Sequence, residues 1–117
     1  MPLQSATSAF TGTLMLATLT SNTFSQYIND RFTLSVKDTP AATMTLISVT
    51  EKPAAAHTDA ARVPFGLVFR AENHAVISDG CFTLDHPGLG NLPDVYFNRI
   101  LPPAPTDTSA YYQAIFN

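Results

Sequence analysis

The sequence predicts an all-β fold, an antiparallel β-sandwich or small β-barrel with one short N-terminal helix. Three observations predict it. Apolar residues recur at every second position in several short runs, Pro and Gly interrupt those runs, and most aromatic residues fall on the inward positions of the alternation. At 117 residues the chain suits one domain with one core. We read residues 1–20 as a strand-like extension and residues 21–117 as a single β domain.

The extension carries no charged side chain, and Phe10, Gly12, Leu14 and Leu16 alternate with their neighbours. Two readings stand for it. It pairs within its own domain or frays as a tail, or it adds as a strand to the open sheet edge of a neighbouring subunit. The segment after it, Thr23 to Ile28, spaces Phe24, Tyr27 and Ile28 as a helix does, with Ser21 and Asn22 available to cap it. One or two turns there would plug an end of the sheet.

Arg31 to Lys37 alternates Phe32, Leu34 and Val36 against polar residues, as a half-buried strand does. Thr43 to Thr50 starts on the same period with Met44 and Leu46, then slips to Ile47 and Val49, which predicts a β-bulge. Asp38 to Ala41 supplies a hairpin turn between the two. Lys52 to Pro64 loses the period between prolines and reads as a long exposed loop. Phe65 to Arg70 is a central strand in which Gly66 leaves room for a close neighbour. Ala75 to Ile77 and Cys81 to Asp85 read as strands around the Asp79-Gly80 turn, and His86-Pro87-Gly88 breaks the chain. Asp94 to Leu101 and Ala110 to Asn117 are the last strands, with Pro102, Pro103 and Pro105 between them.

The composition bounds the function classes. Only 13% of residues are charged, against about 25% in an average soluble domain, so neutral side chains cover much of the surface and repel neighbouring molecules weakly. A net charge of −3, with six scattered Lys and Arg, leaves no basic stripe for phosphates and speaks against nucleic-acid binding. Phe10 to Leu19 is too short to span a bilayer and contains three threonines, so no membrane contact is expected. With Arg31 the first basic residue, no signal peptide is expected either.

The chemistry-bearing residues give no constellation. His57, His74 and His86 lack metal-ligand spacing, and no cofactor motif is present. Asp85 beside His86 resembles half of an acid-base pair, but an Asp before Pro-Gly reads as a turn residue. Cys81, the single cysteine, lies in a strand and reads as an inert thiol. Gly80, Gly88 and Gly90 read as turns, because no helix pattern follows them to cradle a phosphate. Phe32, Phe65, Phe69, Phe82, Phe97 and Phe116 read as core, whereas Tyr96, Tyr111 and Tyr112 are expected to bring their hydroxyls to a surface. No catalytic residue is assigned and the chain is not expected to be an enzyme. The interface candidates are Phe10, Leu14, Leu16, Tyr96, Tyr111 and Tyr112.

Four stretches carry a family resemblance: Leu19-Thr20 ahead of Phe24, Pro64 to Arg70, Phe82 to Gly90, and Tyr112 with Ala114 to Asn117. From about Leu16 to Asn117 the chain resembles a family of small bacterial and phage-associated proteins known as a domain of unknown function. Members are often encoded near tail-collar or tail-fibre-like proteins. The resemblance implies a structural part in a phage-tail-like or fibrous assembly, in a virion or an extracellular particle, and carries no catalytic residues over. This chain departs from the family in its uncharged extension, Met1 to about Met15, and in the Pro-rich loop before the last strand. The leading expectation is a self-associating structural or assembly protein whose partners are its own copies or other structural proteins. The alternative is a small-ligand or glycan binding module with Tyr96, Tyr111 and Tyr112 as its platform.

Overall fold

The computed structural model describes residues 19–52, 63–72 and 76–116. Six antiparallel strands close into a barrel, in the order β1-β2-β3-β6-β5-β4, behind one short helix. The helix is α1 (Ser21–Ser25) and the strands are β1 (Arg31–Val36), β2 (Thr39–Glu51), β3 (Phe65–Ala71), β4 (Gly80–His86), β5 (Gly90–Ile100) and β6 (Tyr111–Phe116). Two three-stranded meanders, β1-β2-β3 and β4-β5-β6, join along both edges, β3 to β6 and β1 to β4. The choice that local alternation left open between sandwich and barrel is thus made by two pairings between residues far apart in the chain.

The β1-β2 hairpin turns two residues earlier than its composition suggests. Lys37 and Asp38 both have positive φ, 50° and 65°, and Val36 pairs with Thr39, which defines a two-residue turn whose twist matches that of the strands. Pro40 is accommodated beside a bulge at Ala41, where the register skips from Leu34↔Ala42 to Ser35↔Pro40. The expected slip in β2 is a second bulge. Leu46 pairs with Phe69 and Ser48 with Val68, so Ile47 is the extra residue. Val49 resumes the inward period and packs on the core, while Ile47 goes to the outer face, contrary to its expected inward place.

β5 begins at Gly90, four residues before the expected start at Asp94. Its alternation is broken by a third bulge, in which Phe82↔Val95 is followed by Leu84↔Leu92 and Asp94 takes a φ of 59°. The strand expected at Ala75 to Ile77 does not form in its described part, Val76 and Ile77. The backbone of Ile77 bonds a side chain instead: its N–H donates to the Tyr112 hydroxyl at 2.9 Å, and that hydroxyl lies 3.4 Å from its carbonyl. The loop expected at Lys52 to Pro64 lies largely outside the described residues, and its base is closed by Lys52 N–H donating to the Pro64 carbonyl at 2.7 Å.

The interior is filled by side chains. Phe32, Leu34, Met44, Leu46, Phe69, Leu84, Leu92 and Phe97 are fully buried. Gly66 in β3 leaves room for its neighbours, since a Cβ there would come within 3.1 Å of both Ile115 Cδ1 and Lys52 Cε. α1 is a single turn capped by Thr20 rather than by Ser21 or Asn22; Thr20 N–H donates to the Thr23 hydroxyl at 3.2 Å. It does plug one end of the barrel. Phe24 is fully buried against Phe65 and Phe116, and Ser21 Oγ pins the turn to Glu51 at 2.7 Å.

Candidate interaction surface

The outer face of β2, β3 and β6 carries an apolar groove. The bulge turns Ile47 outward beside Val68, and the chain leaving β5 lays Ile100, Leu101 and Pro103 alongside, with the Tyr111 ring as the floor of a hollow of about 310 Å³. Leu101 stands 88% exposed at its lip, and Ile115 is exposed further along β6. Prolines 102, 103 and 105 keep this segment out of the sheet because they lack the N–H a ladder needs. The segment is instead fixed by Asp107, whose carboxylate accepts from Ser109 N–H at 2.9 Å and from the Tyr111 hydroxyl at 2.7 Å.

These bonds set the electrostatics of the segment. The Ser109 backbone bond and the Tyr111 bond hold the Asp107 carboxyl below the usual carboxylate range. The same carboxylate, with burial, pushes the Tyr111 hydroxyl above the ordinary tyrosine value. Arg70, the cross-strand neighbour of Tyr111, acts on that hydroxyl in the opposite sense and draws it down. Tyr111 therefore separates the apolar groove from a polar hollow lined by Arg70.

The three interface candidates among the described residues, Tyr96, Tyr111 and Tyr112, do not share one surface. Phe10, Leu14 and Leu16 lie outside the described residues, as do His57 and His74. Tyr96 is 54% exposed on β5, across from the exposed Cys81. Tyr111 and Tyr112 are buried, which corrects their expected place at a surface. Tyr112 shares the inward face with Ala114 and Phe116, and its hydroxyl is satisfied by the Ile77 backbone rather than by water. Tyr111 points outward but is covered by the proline segment. No three-tyrosine platform exists.

Asp85 and His86 also part company. Asp85 accepts from Ser35 Oγ at 3.2 Å and from the Asn91 amide. His86 caps the β4-β5 turn, with Nδ1 accepting from the N–H groups of Gly88 at 2.9 Å and Leu89 at 3.2 Å. That network assigns the proton to Nε2, which donates to Asp30 at 2.9 Å. Its ring packs on Tyr27 and Phe32. With both nitrogens engaged, the neutral imidazole has no free lone pair for general-base work. Among the described residues no group of three or more His, Cys, Asp or Glu is placed to hold a metal ion, and no helix is long and apolar enough to cross a membrane.

The sequence profile of a family described as a domain of unknown function, DUF6916, matches residues 19–116. The chain belongs to the DUF6916 family. The match covers α1 and all six strands, so the barrel and its outer groove are features of the DUF6916 region of this chain. No curated protein and no solved structure matches the chain. The groove is not legible in the sequence, because the outward turn of Ile47 depends on a bulge. The available signal was Leu101, an apolar residue set directly before Pro-Pro.

Proposed function

We propose that the protein is a structural or assembly module, a subunit or accessory of a phage-tail-like or fibrous particle. It associates with its own copies or with another structural component, and its groove face is the contact. The observation that carries this reading is Leu101, 88% exposed at the lip of an apolar hollow. A single exposed leucine is ordinary, but one that continues a groove of Ile47, Val68 and Ile100 is an anchor with a seat beside it. The low charge of the chain adds weak repulsion between copies. The engaged nitrogens of His86 support a role without catalysis. The extension that includes Phe10, Leu14 and Leu16 is proposed as a second contact, by strand addition.

The test is the sedimentation mass of the full chain over a concentration series, beside Leu101→Glu and a deletion of residues 1–15. Assemblies larger than the 12.6 kDa monomer are expected for the full chain and are expected to shrink in both variants. A full chain that stays monomeric throughout, with no particles in electron micrographs, removes the proposal.

A further inference from the structure

On the other side of Tyr111 from the groove lies a polar hollow of about 590 Å³, lined by Asn29, Arg31, Thr45, Arg70, Glu72 and Ser109. Its floor is one cross-strand row on the barrel's outer face, Arg31 opposite Thr45 and Thr45 opposite Arg70. Its size lies within the range of small-ligand clefts, about 300–1,000 Å³. Its lining does not resemble an apolar pocket, because Ala71 is the single apolar side chain in it.

The arginines are held from behind. Arg31 Nε donates to Glu72 Oε2 at 3.0 Å, which leaves its terminal amino groups facing solvent, with the side chain 77% exposed. Thr45 Oγ1 donates to the same Glu72 oxygen at 2.9 Å and fixes that carboxylate in place. Arg70 stands opposite Tyr111 across the β3-β6 pair, and the Asp107 carboxylate that fixes the Tyr111 hydroxyl attracts its guanidinium. Two of the chain's six basic residues thus converge on one hollow, in a protein of net charge −3. A guanidinium fork matches a carboxylate in two parallel hydrogen bonds, and a braced fork loses less freedom on binding than a loose one.

Glu72 and Asp107 balance the two arginines, so the hollow is no trap for any anion. It offers forks for one carboxylate and, around them, the Asn29 amide, the Thr45 and Ser109 hydroxyls and the second Glu72 oxygen as partners for neutral donors and acceptors. We propose that this hollow binds a small polyhydroxylated carboxylate, an acidic sugar unit in its chemistry, with Arg31 and Arg70 on the carboxylate and Glu72, Asn29 and Ser109 on hydroxyls. The site is separate from the groove face, and its occupancy does not depend on whether the protein assembles.

The experiment is a calorimetric titration of the full chain with D-glucuronate, D-glucose and inorganic phosphate, repeated with D-galacturonate and followed by amide NMR. Saturable binding of one of the two uronates is expected, at least tenfold tighter than glucose or phosphate, with the largest shifts at Thr45, Arg70 and Glu72. Arg31→Gln and Arg70→Gln, both at exposed side chains, are expected to weaken it at least tenfold while the far-ultraviolet dichroism stays unchanged. The proposal is overturned if neither uronate binds, if phosphate binds as well as the uronates, or if both glutamine variants retain full affinity.

Discussion

The two ends of the barrel are closed by different physics. At one end Phe24 from α1 sits against Phe65 and Phe116, with ring centroids 5.8 and 5.6 Å away, and those two rings stack at 4.9 Å. At the other, the rim is a set of partnered polar groups: Arg31 with Glu72, His86 with the β4-β5 turn, and Tyr111 with Asp107. The apolar end is stabilised by area removed from water, which tolerates small angular errors. The polar rim is stabilised by geometry, and each buried group left without its partner carries a desolvation cost. The first should respond to substitutions by size, the second by which atom is lost and by pH.

The largest effect is expected at the apolar end. Phe24 is fully buried, and its ring has no other element behind which to collapse except the single turn that carries it. Phe24→Ala should cost about 3–5 kcal/mol, a large part of the total stability of a domain this size. Phe24→Leu should cost roughly half as much, since it keeps most of the buried volume. Urea denaturation of the three proteins measures this. Equal midpoints for all three would mean that α1 packs without closing the barrel.

A smaller effect is expected at His86, and here the kind of atom matters. His86→Ala removes the acceptor for two backbone N–H groups together with a ring that is packed on Tyr27 and Phe32, and should cost about 2–3 kcal/mol. His86→Asn replaces Nδ1 by a carbonyl oxygen at a similar place and should recover part of that loss. Asp30, half exposed, is the weaker partner, and Asp30→Asn should change stability by no more than about 0.5 kcal/mol. If Asn is no better than Ala in thermal melts, ring packing rather than capping is what His86 supplies.

How far the fold was legible follows the same division. In β1, β3 and β6 the inward residues Phe32 and Leu34, Phe65, Leu67 and Phe69, and Phe116 follow a two-residue period and could be assigned from it alone. The bulge in β2 announced itself as a slip after Leu46, although which residue became the extra one depended on the register against β3. The first half of β5 was hidden because Pro93 and the left-handed Asp94 break its alternation between Leu92 and Val95. Closure itself needed the β1-β4 and β3-β6 pairings, which no local pattern encodes. The candidate surfaces were less legible still. Tyr112 shares its inward parity with Phe116, so its burial was readable, but Tyr111 sits on the outward parity and is buried only because the proline segment folds over it. The polar hollow assembles Arg31, Thr45 and Arg70 from three strands, a juxtaposition invisible until the register is known.

The smallest effect, and the sharpest test of the polar rim, is the alkaline limb of stability. The Tyr111 hydroxyl keeps its proton longer in the folded chain than in the unfolded one, because it donates to Asp107 and is shielded from water. Its contribution is therefore complete below the unfolded value, about 10, and is lost as pH rises through the higher folded value. Stability should decline in that window, and Tyr111→Phe, which has no proton to lose, should flatten the decline while lowering stability slightly at neutral pH. Asp107 acts in the opposite sense, since its depressed pKa makes its contribution present above the unfolded value, about 3.9, and lost as pH falls through the folded one. Thermal melts of both proteins from pH 7 to pH 11 check the first of these. Parallel curves would show that the Tyr111–Asp107 bond does not couple to folding, and that the wall between the apolar groove and the polar hollow is held by ring packing alone.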